Sequence, residues 1–426
     1  MVLKRMQANT ILLIYLIFFA GEFLFENLLT LLNIKTAYRN KDSVPAPFQK
    51  YIEKDKYTLS VVYTIERSKF NLLTSVLSSG FLLFVVLSGL LGKVDLFVSG
   101  MHLHPYLHGI IYIFLISLIF KLFSIPFSIY SQFVIEEKFG FNRMTLSLFF
   151  KDLIKSLLVS AVISTPLLLG LFWFMDSTGR FWWIFAFLFV ALFQLVITVL
   201  YPLVIAPLFN KFSPLEEGSL KEKLYNLAKK LAFRTSGIFV MDGSKRSRHS
   251  NAYFTGLGKV KRVVLFDTLI QTLTENQLAA VLAHEIGHEK KHHAVKYLFL
   301  SLLLMMAALF IIDLLLRFDP LYLAFGFKQA SYHGILVIIS FCSGPFTFFL
   351  TPLFTSWSRK HEYEADRFAV NAVENKENLE EALITLGREN LTNLSPHPLY
   401  SFYHYSHPTL GERIRAIEKY KPEKGV

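Results

Sequence analysis

The sequence predicts a mainly α-helical, polytopic membrane protein that carries a small α+β region outside the bilayer. Composition is the first reason: of 426 residues, 53% are hydrophobic and only 18% charged, too little polar surface for a soluble domain. Length is the second. Seven stretches, 11–34, 70–92, 106–134, 152–175, 181–208, 294–316 and 332–356, are apolar and long enough to cross about 30 Å of hydrocarbon at about 1.5 Å per helical residue. The third is that the polar residues gather in two sizeable regions, 209–293 and 357–426. The expected organisation is therefore spans one to five with their loops in 1–208, a polar part at 209–293, spans six and seven in 294–356, and a polar C-terminal part at 357–426.

The first stretch holds Glu22, Glu26 and Asn27, is too long for a signal-peptide core and lacks a small-residue cleavage site, so it is expected to stay in the mature protein. Lys121, Gln132 and Asp313 fall inside predicted spans, where facing lipid is costly, so they are expected to face neighbouring helices or a hydrated interior. Cys342, the single cysteine, excludes an intramolecular disulfide and a multi-thiolate metal site, and reads as a small core residue of the last span.

A net charge of +12 raises the question of nucleic acid, but the distribution of cations answers it. Lys and Arg number eight in 35–69, three in 135–151, fourteen in 209–293 and ten in 357–426. The alternate set carries two in 1–10, one in 93–105, one in 176–180 and two in 317–331. Seven spans put these sets on opposite faces, and the basic set is the cytoplasmic one by the positive-inside rule, whose force is greatest for short connections. The expected topology has the N-terminus outside and the C-terminus cytoplasmic, with the bilayer rather than nucleic acid as the partner of the apolar bulk.

In the first polar region, Leu220, Leu224, Leu227, Ala228 and Leu231 recur at helical spacing. Gly237–Met241 and 261–266 are short β-branched and aromatic runs, read as a small antiparallel sheet. Thr274-Glu275-Asn276-Gln277 has capping-box spacing, so a helix is expected to start there and run on towards the sixth span.

That helix carries His284-Glu285-Ile286-Gly287-His288. Histidines four apart lie on one helix face about one turn apart, so both imidazoles reach one ion, and Glu285 falls beside them where it can take a proton from water. A zinc hydrolase needs a third protein ligand and one open position. Glu362 and Asp366, four apart in Ser358–Asp366, offer one carboxylate to bind metal and another to orient a ligand histidine; the alternative is a solvated acidic face at a membrane exit. Glu364 points elsewhere on that helix. His292 and His293 read as interfacial or helix-end residues.

These pieces resemble the integral-membrane zinc metallopeptidases called CAAX prenyl protease type 1. Besides HEIGH and SRKHEYEAD, the resemblance rests on IEEKFGFNRMT at 135–145, YPLVIAPLFNKFSPLEEG at 201–218, GSKRSRHSNAYFTGL at 243–257, RVVLFDTL at 262–269 and YSHPTLGERI at 405–414. A shorter, four-span family of membrane zinc proteases shares only the His-Glu and Glu-x-x-x-Asp pieces. The resemblance implies one zinc ion on His284, His288 and Glu362, with Glu285 as general base and acid and Asp366 as a carboxylate behind a ligand histidine. It further implies that Asn251 and His407 hold substrate and the developing oxyanion, that Arg413 is a further site arginine, and that seven tilted helices form a chambered barrel with the zinc site at its cytoplasmic end. The implied partner is a peptide or protein substrate, prenylated in this family.

The last residues, 421–426, contain no endoplasmic-reticulum retrieval signal, and the chain is short beside eukaryotic members of the family. A bacterial inner membrane joins the endoplasmic reticulum as an expected location. The strand at 262–266 is expected to offer an open edge to an extended peptide. The competing readings are a quality-control peptidase indifferent to prenylation, a seven-span receptor or transporter, and a membrane-anchored scaffold. The receptor leaves the clustering of metal-type residues unexplained, and no catalytic residue type is missing as a scaffold would require.

Overall fold

A computed structural model describes residues 2–255, 261–373 and 375–420; Gly256 and Leu257 of the 243–257 motif and the tail 421–426 lie outside the described residues. In chain order the helices are α1 (Val2–Asn40), α2 (Lys54–Leu87), α3 (Leu90–Ser99), α4 (Pro105–Tyr130), α5 (Leu146–Ser177) and α6 (Trp182–Leu200). Then follow α7 (Ser219–Lys230), α8 (Asp267–Thr272), α9 (Glu275–Lys290), α10 (His293–Leu315), α11 (Asp319–Ala324) and α12 (Tyr332–Thr347). The chain ends with α13 (Thr351–Ala372), α14 (Glu377–Glu389), α15 (Pro398–His404) and α16 (Leu410–Lys419). The strands are β1 (Phe212–Pro214), β2 (Gly237–Met241), β3 (Ala252–Thr255) and β4 (Arg262–Phe266).

Among the described residues seven helical stretches are long and apolar enough to cross a membrane, and they match the seven expected from the sequence. Each reaches past the apolar window into polar residues, because a helix already bonded internally continues into water at little cost. The segment expected to follow the seventh span as a separate helix is instead its continuation: α12 passes through a 3₁₀ turn at Phe348–Leu350 into α13. The spanning helices close into a ring in which α1 touches α2, α2 touches the π-helical end of the third span, and contacts continue through α4, α5, α6, α10 and α12 back to α1. No spanning window has more than 28% of its residues buried, far below a solid bundle, in keeping with helices that pack side by side around a ring. Apolar side chains such as Val162 and Phe299, 73% and 72% exposed, are lipid-facing. The polar residues inside the spans find neighbours: Trp182 Nε1 donates to Asp313 at 2.6 Å, Gln132 bonds Asn142 at 2.5 Å, and Lys121 lines a cavity between the third and fourth spans. Cys342 is half-buried among apolar residues of the membrane core.

The sheet differs from the expected antiparallel pair. Its order is β1-β2-β4-β3, with β2 and β4 parallel and both edge strands antiparallel to their neighbours. Parallel pairing needs a crossover of about a dozen residues or more, and the chain after β2 provides for it by placing β3 on the far side of β4. β4 is consequently central and cannot be the open edge expected of it; among the described residues that edge belongs to β3. Beneath the sheet, Leu224 of α7, Ile238 and Val263 of the strands, Leu282 and Ile286 of α9, Ala369 of α13 and Ile417 of α16 share one core. Residues from both polar regions therefore bury the same apolar surface.

Candidate metal centre

The helix α9 begins as its sequence dictates: Thr274 accepts from Gln277 N while the Gln277 side chain accepts from Thr274 N, a closed capping box. Its buried face, Leu278, Leu282 and Ile286, packs on the shared core. The contact with α13 is set at Gly287, where an added Cβ would lie 3.1 Å from the Cα and carbonyl oxygen of Ala365. Only a side chain of hydrogen lets the two backbones approach so closely, and this approach brings Glu362 to the histidine pair.

His284 Nε2 and His288 Nε2 are 3.1 Å apart, His288 Nε2 is 3.3 Å from Glu362 Oε1, and His284 Nε2 is 3.5 Å from Glu362 Oε2. Zinc bonded to nitrogen and oxygen at about 2.0 Å in a tetrahedron spaces its ligands about 3.3 Å apart, so the three side chains already stand at coordination spacing. Glu362 Oε2 is buried and accepts no hydrogen bond of good angle, although His407 Nδ1 lies 2.8 Å away. The charge balance points the same way. Burial lowers the His284 pKa, but Asp366 and Glu362 outweigh it and push the imidazole up to about 9; a divalent cation can displace that proton. Burial, and then His284, pulls His288 down to about 3, leaving it neutral as a ligand must be. The donor set thus fits a divalent metal.

Behind the ligands stand two relays. Asp366 Oδ1 lies 2.8 Å from His284 Nδ1, and Arg413 grips the same carboxylate through Nη2 at 2.6 Å and Nε at 2.9 Å. The four-residue spacing of Glu362 and Asp366 thus serves both nitrogens of the His284 ring. Burial alone would lower the Arg413 pKa, but Asp366 outweighs it and raises it.

The second relay starts from His293, the first residue of α10 and so a helix-end residue as expected, but buried and turned towards a ligand. The α9 helix does not run on into the sixth span: His292, with φ +57°, turns the chain so that the buried His293 folds back, its Nδ1 3.0 Å from His288 Nδ1. His293 Nε2 in turn meets Glu364 at 3.1 Å, so Glu364 points away from the ligand cluster, as expected, yet fixes a ligand's neighbour. The only sequence signal for this was a histidine three residues past the end of α9; the turn that uses it is not a local property.

Glu285 is next to His284 on α9, and burial raises its carboxyl pKa, partly offset by His284. Asn251, His407 and Arg413, from distant segments, line one cavity of about 500 Å³. His407 is exposed, whereas Arg413 is nearly buried on Asp366. The Asn251 carbonyl Oδ1 accepts from Ala252 N at 2.8 Å, which leaves its amide N–H groups as donors at the start of β3.

Two family models divide the chain. Residues 33–211 match the CAAX prenyl protease N-terminal model of five membrane helices, and residues 214–421 match peptidase family M48. CAAX prenyl protease 1 of Saccharomyces cerevisiae is 37% identical over 96% of this chain and 95% of its own. The CAAX prenyl protease 1 homologue of Homo sapiens is 32% identical over 90% of each. The crystal structure of S. mikatae Ste24p superposes with a TM-score of 0.89 at 33% identity, covering 96% of this chain and 99% of that one. With the M48 model on the half that holds the histidine pair and the five-helix model on the half that supplies the earlier helices of the ring, this chain belongs to the CAAX prenyl protease 1 family of integral-membrane metallopeptidases.

Proposed function

We propose that the protein is a zinc metalloendopeptidase that removes C-terminal residues from prenylated CAAX proteins or peptides. One zinc ion would be held by His284, His288 and Glu362. The observation that carries the reading is the spacing of those three donors, 3.1–3.5 Å, with Glu285 adjacent on the same helix. The CAAX substrate class is taken from the name its relatives bear.

Held by His284, His288 and Glu362, zinc would supply Lewis acidity and would lower the pKa of a nearby water towards about 7. Glu285 accepts the proton of the attacking water and later delivers it to the leaving amine nitrogen. Its raised pKa brings it closer to that of the groups it exchanges protons with, which is where a general base works best. His407 and the Asn251 amide donate to the developing oxyanion from the shared cavity. Arg413, committed to Asp366, acts as a positioning residue that holds His284. The outer edge of β3, which begins one residue after Asn251, is the edge on which an extended peptide pairs through backbone bonds.

The orientation that accompanies this reading has the N-terminus outside and the metal centre and C-terminus cytoplasmic, supported by the basic residues of the connections on that face. The membrane is a bacterial inner membrane or the endoplasmic reticulum.

Mass spectrometry of a farnesylated peptide and its unprenylated twin, each incubated with the protein, tests the substrate. Release of C-terminal residues from the prenylated peptide at least about tenfold faster is expected from the added apolar burial. Equal cleavage of both would return the protein to the prenyl-independent quality-control reading. A second expectation concerns His407: His407→Ala leaves metal content unchanged and lowers kcat by about 10²-fold, the usual scale for one oxyanion donor. Metal analysis and steady-state kinetics check it; loss of the metal with the fold intact would make His407 a ligand instead.

A further inference from the structure

A second group of metal-type side chains stands at the opposite end of the helical ring. Asp95 of α3, His108 in the first turn of α4 and His333 in the first turn of α12 offer ligand atoms that all lie within 4.8 Å of one another. By chain order these elements belong to the connections that lie across the membrane from the His284 centre. His108 Nε2 approaches Asp95 Oδ1 at 2.8 Å and His333 Nε2 approaches the same oxygen at 2.7 Å. Two imidazole nitrogens from separate helices therefore converge on one carboxylate oxygen.

The surroundings hold this convergence in place. The two imidazoles stack with centroids 4.7 Å apart and 26° between planes, and Tyr112 packs on His333 at 4.8 Å. Next to His108, Gly109 marks a close approach of α4 to its neighbours: an added Cβ would sit 2.8 Å from the Phe172 ring and 3.3 Å from His333 Cβ. One turn before Asp95, Gly92 is equally restricted, since a Cβ there would lie 1.8 Å from the Gly326 carbonyl oxygen. Both glycines serve close approach, and both approaches position the cluster. His333 is buried, and with Asp95 and His108 it lines a cavity of about 890 Å³ that also receives Arg317 and Lys328.

We propose that Asp95, His108 and His333 form a second, outward-facing site for a divalent transition metal of the zinc type, distinct from the catalytic centre. Two imidazoles and one carboxylate are the donor set zinc accepts, and the cavity leaves a fourth position for water. The ion ties α3, α4 and α12 together at the end of the chamber remote from the peptidase site. Arg317 and Lys328 oppose a cation in the same cavity, so this ion is held less tightly and leaves first on chelation.

Elemental analysis of the untagged, full-length protein in detergent, loaded with zinc and freed of excess, tests the site. Two equivalents per chain are expected in the wild type and one in His284→Ala/His288→Ala. Asp95→Asn and His333→Gln are each expected to lose one equivalent while keeping the other. Cobalt titration of the stripped wild type guards against a variant that fails to fold, and two successive saturations in the visible spectrum are expected. One equivalent in the wild type and none in His284→Ala/His288→Ala, or a single cobalt saturation, would overturn the second site and leave Asp95 as a hydrogen-bonded partner of two histidines. Two equivalents untouched by Asp95→Asn and His333→Gln would overturn it as well. Loss of the catalytic ion alone changes only the other equivalent, so the two readings fail separately.

Discussion

Glu285→Gln is expected to keep its metal and to lose at least about a hundredfold in turnover, the usual scale for a general base. A factor of 100 is about 2.7 kcal/mol of transition-state stabilisation. The amide has the volume of the carboxylate and stays beside His284 on α9, so packing and ligand spacing are preserved while proton acceptance is not. The half-buried Glu285 side chain keeps its shape in the amide, so the thermal midpoint is expected to remain near that of the wild type. Zinc stoichiometry and single-turnover cleavage of a farnesylated peptide measure both halves of the expectation. Normal turnover in this variant would remove Glu285 from the mechanism.

Replacement of a ligand should act differently, because it removes the ion itself. His284→Ala, His288→Ala and Glu362→Gln are each expected to lose one equivalent of metal and nearly all activity. The effect is largest for His284, whose loss also strands Asp366 and Arg413 as a buried pair without their third partner. Glu362→Gln is the most informative, since Glu362 comes from the other polar region and its assignment depends on the meeting of α9 and α13. Full metal content in Glu362→Gln, counted as the difference from wild type, would mean that another group completes the site.

Much of this molecule was legible in its residues. The spans follow from apolar length, α9 from the Thr274–Gln277 box, and the ligand pair from a four-residue spacing on one helix face. Each is a property of a window of about twenty residues or fewer, within which helical periodicity and hydrogen bonding act. The parallel β2–β4 pair was missed because adjacency along the chain suggests a hairpin, whereas the direction of β4 is decided by β3 pairing on its far side. His293 read correctly as a helix-end residue, but its contact with His288 was not legible because it depends on a left-handed residue before it.

The sequence by itself determined a seven-span membrane protein with a helix bearing two metal-type histidines and a carboxylate pair elsewhere. Only the tertiary structure decided that Glu362 faces those histidines, that Arg413 clamps Asp366, that His293 backs His288, and that Asp95, His108 and His333 meet at the far end of the ring. The physical reason is that separations along the chain carry no spatial information until backbones pack. At Gly287 against Ala365, and at Gly109 against Phe172 and His333, the missing side-chain volume lets helices close to the distances at which distant ligands converge.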